Sequence, residues 1–121
     1  MNWTPLLLVV AVMGTMLLLR RSSFVPEAQA RELLKQGAMV VDVRGKEEFD
    51  AGHLPGTVNI PLDTLTDGAR RLAPDKGRVL LVHCVSGMRS AMARRQLRAM
   101  GYEKVFNLGS YGRAKAILSG Q

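Results

Sequence analysis

Residues 78–90, RVLLVHCVSGMRS, decide how the rest of the chain is read. Val79, Leu80, Leu81 and Val82 follow one another without polar alternation, the mark of a strand buried on both faces in a parallel sheet. The one cysteine of the chain, Cys84, comes directly afterwards, and Gly87 and Arg89 sit in the short loop that it opens. A helical pattern then starts near Ser90 and runs to Met100. The thiol is therefore expected where a strand ends and a helix begins, facing backbone N–H groups without helical partners and the positive end of the helix dipole. Such surroundings lower a cysteine's pKa and favour the thiolate, which is the nucleophile.

On either side of this stretch the pattern alternates. Phe24 and Val25 read as a brief first strand. Pro26 and Glu27 open a helix that packs through Ala28, Leu33 and Leu34 and closes at Gly37. Residues 38–43 form a second buried strand ending at Asp42 and Arg44, residues 46–51 a short helix, and residues 57–60 a strand stopped by Pro61. A weaker helix covers 62–72. After Cys84, the helix directs Ala91, Met92, Leu97 and Met100 inward and Arg94, Arg95 and Arg98 toward water. Residues 104–108 make a fifth strand and 111–118 a last helix. Strands and helices in strict alternation predict an open, parallel, five-stranded α/β sheet with right-handed crossovers.

Composition narrows the chemistry. At 121 residues the chain holds one domain, and one cysteine with two histidines supplies neither a disulfide framework nor a protein-only zinc site. The formal net charge of +7 would suit nucleic acid, but with one Trp, two Tyr and three Phe, none interleaved with basic residues, no nucleic-acid motif is present. Anionic head groups or small anionic substrates account for the charge as well.

The N-terminus poses a separate question. Residues 5–19, PLLLVVAVMGTMLLL, carry no charge, and Trp3 precedes them like an interfacial anchor. The 17 residues from Trp3 to Leu19 give about 25 Å of helix, short but usable against a hydrocarbon core of about 30 Å. A cleaved signal peptide places its positive charge before the apolar run, whereas Arg20 and Arg21 follow it. The expectation is a single transmembrane anchor with a basic flank over residues 1–21, in the cell membrane, holding a cytoplasmic domain over residues 22–121.

The ordered motifs of the domain resemble the rhodanese family of sulfurtransferases. They are Val41-Asp42-Val43-Arg44, Glu47-Glu48-Phe49, Gly52-His53-Leu54-Pro55-Gly56 with Asn59-Ile60-Pro61, the loop Cys84-Val85-Ser86-Gly87-Met88-Arg89-Ser90, and Val105-Phe106-Asn107-Leu108-Gly109. The resemblance implies that Cys84 takes a sulfane sulfur from a donor such as thiosulfate, or from a persulfide. It then carries that sulfur as a persulfide and passes it to cyanide or a thiol, with no cofactor. In this reading the N–H groups of residues 85–90 cradle the anionic sulfur, Gly87 supplies dihedrals that a side chain would forbid, and Arg89 bridges loop carbonyls or holds the donor. Asp42 and Arg44 form a pair that positions the neighbouring loop; His53 makes a turn hydrogen bond, and His83 points away from the thiol. The chain departs from the family after the last strand. Gly109-Ser110-Tyr111 replaces the usual Gly-Gly-aromatic, and Lys115 stands where tryptophan is expected.

Two other readings share these residues. Cysteine phosphatases and arsenate reductases also use a cysteine in an anion-binding loop, but their arginine follows five intervening residues. Here Ser90 holds that position and Arg89 comes one residue early. A membrane-held, non-catalytic sulfur-relay or binding module is the other alternative.

Overall fold

The structure is a computed structural model that describes residues 2–120, with the backbone alone for residues 19–22. Helix α1 (Thr4–Ser22) precedes the domain. There follow α2 (Glu27–Lys35), β1 (Met39–Asp42), α3 (Lys46–Ala51), β2 (Thr57–Asn59), a 3-10 turn at Leu62–Thr64 and α4 (Leu65–Leu72). The chain continues through β3 (Leu80–His83), α5 (Met88–Ala99), β4 (Val105–Gly109) and α6 (Tyr111–Ser119). Among the described residues the four strands pair in parallel, in the order β2-β1-β3-β4.

The apolar run predicted as a central strand lies between β1 and β4, and all four residues of β3 are buried. Alternation along β3 sends Leu80, Val82 and Cys84 into one core with Leu65 and Ala69 of α4 and Ala93 and Leu97 of α5. Leu81 enters the second core with Ala30 of α2 and Ala114 and Ile117 of α6. Tyr102 belongs to the first core and donates its hydroxyl to the carbonyls of Ala69 and Ala73 at 3.2 and 2.6 Å. The Ala69 carbonyl also accepts from Ala73 N–H at 2.8 Å, so the acceptor that the hydroxyl serves beyond the end of α4 is the Ala73 carbonyl.

The sheet has four strands among the described residues, not five. Phe24 and Val25 contribute one bridge, Phe24 to Asn107, and one hydrogen bond, Val25 N–H to the Asn107 carbonyl at 2.9 Å. Pro26, without an N–H and with its dihedral set for the start of α2, stops the pairing there. The phase of α5 also differs from expectation. Met92 is half exposed, Ala93 takes the inward place, and Arg94 is half-buried, donating to the Val105 carbonyl at 3.0 Å.

The membrane anchor needs correction as well. The apolar N-terminal run is helical, and Leu6, Leu7, Val10, Met13 and Leu17 are exposed along it. Among the described residues, however, no helix is long and apolar enough to cross a membrane. The helix starts at Thr4, leaving Trp3 outside it, and its last turn holds Arg20 and Arg21. Its uncharged part is thus confined to residues 4–19, fewer than the roughly 17 to 25 residues that a spanning helix needs. The transmembrane helix, the membrane as a partner, and the single-pass, cytoplasm-facing localisation therefore fall. The orientation rested on Arg20 and Arg21, whose side chains lie outside the described residues.

Candidate active site

The carboxyl ends of β1 and β3 lie side by side, with Asp42 in register with His83. This is where parallel α/β sheets place ligands. Cys84 follows β3, and its residue is 1% exposed. Gly87, with φ of 95°, turns the chain into α5. That φ is left-handed and open to glycine without steric cost.

Helix α5 begins without a side chain capping its N-terminus. The Cys84 sulfur takes that part. Gly87 N–H donates to Sγ at 3.0 Å and Ser90 N–H at 3.4 Å, while the Ser90 hydroxyl stands 3.4 Å away. Ser90 is the third residue of the helix, whose N–H a polar cap residue ordinarily accepts. Burial by itself raises the Cys84 pKa. The Ser90 hydroxyl and the N–H groups of Ser90, Gly87 and Ser86 outweigh it, and the net shift is downward. The sulfur is buried, and its pKa nonetheless lies below the ordinary thiol value.

The rest of the loop is fixed from outside. Cys84 N–H donates to the Gly109 carbonyl at 3.3 Å, and the Val85 carbonyl accepts from Tyr111 N–H at 3.0 Å. Asn107 donates its amide to the Gly87 carbonyl at 3.2 Å. Val85, Ser86 and Met88 form an exposed rim, with Met88 74% exposed. Gly87 and Ser90 are buried and face the sulfur, so the expected loop residues divide into a lining and a rim.

Arg89 neither bridges loop carbonyls nor stands free. It makes a bidentate pair with Glu48 at 2.6 and 2.9 Å, joining the first turns of α5 and α3. That pairing, with the Gly45 N–H donating to the same carboxylate at 3.1 Å, holds the Glu48 pKa down at about 2. Asp42 and Arg44 are brought together as expected. Arg44 donates through Nε and Nη2 at 2.8 to 3.0 Å and also reaches the Gly52 carbonyl at 2.8 Å, locking the β1–α3 corner. His53 Nδ1 lies 2.9 Å from the Phe49 carbonyl. His83 faces the core opposite the thiol, edge-on to Tyr111, with Nε2 lacking a hydrogen-bond partner and 3.8 Å from the Asp42 carboxylate. Burial lowers its pKa more than Asp42 raises it, which keeps the ring neutral.

Glu48, Asn107 and Phe24 are the site residues that sequence reasoning left without a role. For Glu48 a signal existed, since its spacing from Gly45 is that of a capping residue reaching back to the start of its helix. Asn107 lay within a recognised motif, but its link to Gly87 crosses 20 residues of sequence.

This arrangement has known counterparts. The Rhodanese-like domain family matches residues 27–112. The chain belongs to the rhodanese-like family. It is 36% identical over 69 residues to the thiosulfate sulfurtransferase PspE of Escherichia coli, covering 57% of this chain and 66% of that protein. It is 33% identical to the thiosulfate sulfurtransferase GlpE of Pseudomonas syringae, over 69% of this chain and 77% of the relative. A match at 38% identity to the putative sulfur carrier protein YrkF of Bacillus subtilis covers 57% of this chain and only 36% of that longer protein. Among solved rhodanese-like structures, the human single-domain sulfurtransferase TSTD1 superposes with a TM-score of 0.65 at 28% identity, covering 82% of this chain and 97% of TSTD1. A rhodanese from E. coli, described with anions, gives 0.60 at 32% identity, over 64% of this chain and 91% of its own. These likenesses assign the chain to the rhodanese-like sulfurtransferases in general terms.

Proposed function

We propose that this chain moves a sulfane sulfur from an anionic donor such as thiosulfate to a thiophilic acceptor such as cyanide or a thiol, by way of a persulfide on Cys84. The observation that carries this reading is the set of donors on the Cys84 sulfur, which lowers its pKa in spite of burial.

In the first step the Cys84 thiolate attacks the outer sulfur of thiosulfate. A sulfur–sulfur bond forms, the donor's own sulfur–sulfur bond breaks, and sulfite leaves with that electron pair. The negative charge then rests on a second sulfur about 2.05 Å beyond Sγ, directed toward the amides of Ser86, Gly87 and Ser90. In the second step the acceptor attacks this outer sulfur, and Cys84 departs as thiolate. No general base is needed, because the attacking group is already an anion, and neither step changes the overall redox balance.

Both arginines next to the loop are occupied, Arg44 by Asp42 and Arg89 by Glu48. The donor's charge is therefore met by backbone N–H groups and the N-terminus of α5. The same occupancy argues against phosphate ester cleavage, in which a guanidinium has to face the transferred group. Val85, Ser86 and Met88 form the edge past which the donor sulfur enters.

Cys84→Ser tests the reading. Thiosulfate-dependent thiocyanate formation should fall to background while the thermal unfolding midpoint stays within a few degrees. Undiminished thiocyanate formation by the variant would overturn the assignment. A wild-type chain that binds thiosulfate without forming thiocyanate would favour the non-catalytic module.

A further inference from the structure

Phe24 enters the domain two residues after α1 and belongs to no strand, yet its ring is half-buried against the cysteine loop. It packs on two glycines at once. A Cβ added to Gly87 would stand 2.8 Å from the ring's Cζ and 3.0 Å from Cε1; one added to Gly109 would stand 3.2 Å from Cδ2 and Cε2. Both glycines are left-handed, at φ of 95° and 94°. The Gly109 Cα itself lies 3.3 Å from the position of the Gly87 Cβ. Ring and glycines are thus stacked with no room for a methyl group between them.

The ring is also held from β4 and α6. Phe24 bridges Asn107 through its backbone, and Val25 N–H donates to the Asn107 carbonyl. The Arg113 guanidinium lies 5.5 Å from the ring centroid while donating to the Val25 and Leu108 carbonyls at 2.5 and 2.7 Å. Gly87 also presents its N–H to the Cys84 sulfur at 3.0 Å, shorter than the 3.4 Å contacts from Ser90. Its flanking residues, Ser86 and Met88, have exposed side chains, with Ser86 bridged to Ser110 and Met88 opening α5. The Gly87 carbonyl is held by Ala91 N–H at 3.1 Å and by the Asn107 amide at 3.2 Å, while the ring closes on the side that a Cβ would occupy and limits the freedom a glycine otherwise has.

We propose that Phe24 is a positioning residue for the Cys84 thiolate: its ring backs Gly87 and keeps that N–H aimed at Sγ. This inference rests on the sulfur-transfer reading for its purpose, but not for its geometry. With the ring removed, the Gly87 peptide gains room to rotate, the sulfur loses a donor, and the thiolate becomes less favoured.

The test uses the full chain with Phe24→Ala and Phe24→Leu. For each, the pH dependence of Cys84 alkylation by iodoacetamide, the extent of sulfur loading from thiosulfate by mass, and the unfolding midpoint are measured. Phe24→Ala should raise the pH at which the thiol titrates by up to about one unit and slow alkylation near neutral pH by up to about tenfold. Phe24→Leu, which refills part of the space, should fall between Ala and the original residue. An unfolding midpoint that drops while thiol titration and sulfur loading stay unchanged would overturn the proposal and reduce Phe24 to an anchor for the chain. Should Phe24→Ala not fold, an unshifted titration in Phe24→Leu overturns it equally. A shifted titration in Phe24→Ala, with no sulfur loading even in the original chain, would uphold the positioning role and sink the sulfur-transfer reading instead.

Discussion

His83 and Cys84 are neighbours at the end of β3, both buried, and their side chains leave the strand on opposite faces. Burial pushes both toward the neutral form. For His83 that push prevails: its nearest carboxylate, Asp42, is already held by two nitrogens of Arg44, and Nε2 finds no hydrogen bond. For Cys84 it fails, because a glycine turn and the first turn of α5 bring amides and a hydroxyl onto one sulfur. Two buried neighbours are thus tuned oppositely, the imidazole toward its neutral form and the thiol toward its anion, relative to their ordinary pKa values. The deciding quantity is the supply of partners for the charged form, acceptors for an imidazolium and donors for a thiolate, not the degree of burial.

The largest effect that would break this contrast comes from the histidine side. Arg44→Met leaves the buried Asp42 carboxylate without its partner, a loss that costs about 3–5 kcal/mol in such pairs. Denaturant unfolding should show that loss, and NMR titration should show the His83 ring taking up a proton more readily as the nearest remaining counter-charge. A cost under about 1 kcal/mol would mean that Arg44 is not what occupies Asp42.

Ser90→Ala acts on the other side and should be smaller. It deletes the hydroxyl and leaves the N–H, so the thiol should titrate higher by up to about one pH unit, with a corresponding fall in alkylation near neutral pH. An unmoved titration would assign the lowered thiol pKa to the amides alone.

The smallest effect is a slope in stability with pH. Unfolded, His83 takes its proton near 6.5; folded, it resists protonation to a lower pH. Between those two values the unfolded chain binds more protons, so stability rises with pH, and the contribution is lost as pH falls below about 6.5. His83→Leu should flatten this part of a denaturation series, and a slope that survives the substitution would place its origin elsewhere.

Much of this contrast is legible in the chain itself. The apolar run 79–82, the cysteine, the glycine and the following helix are consecutive, and local rules suffice to place a thiol at a helix start. That His83 faces away from Cys84 follows from strand periodicity alone. The partner of Arg89 is another matter, because Glu48 lies 41 residues away and only the packing of α3 beside α5 joins them. The expected first strand at Phe24 and Val25 failed at Pro26, whose effect on pairing outweighed the apolar character of those two residues. The phase of α5 was misjudged because methionine is the more hydrophobic residue, whereas the helix is set from its start at Met88, with Ser90 turned to the sulfur. Ser90, Ala93 and Leu97 then share the buried face, and Met92 is left outside. For α1, apolar composition was read correctly as helix, but composition overstated what its length could cross.

The central claim is that the Cys84 sulfur carries a second sulfur as an anion. Peptide mapping by mass spectrometry after thiosulfate treatment tests it most directly. The account predicts a gain of one sulfur atom, about 32 Da, on the peptide containing Cys84, removed by cyanide and absent in Cys84→Ser. A Cys84 peptide of unchanged mass after exposure to both thiosulfate and a low-molecular-weight persulfide would contradict it.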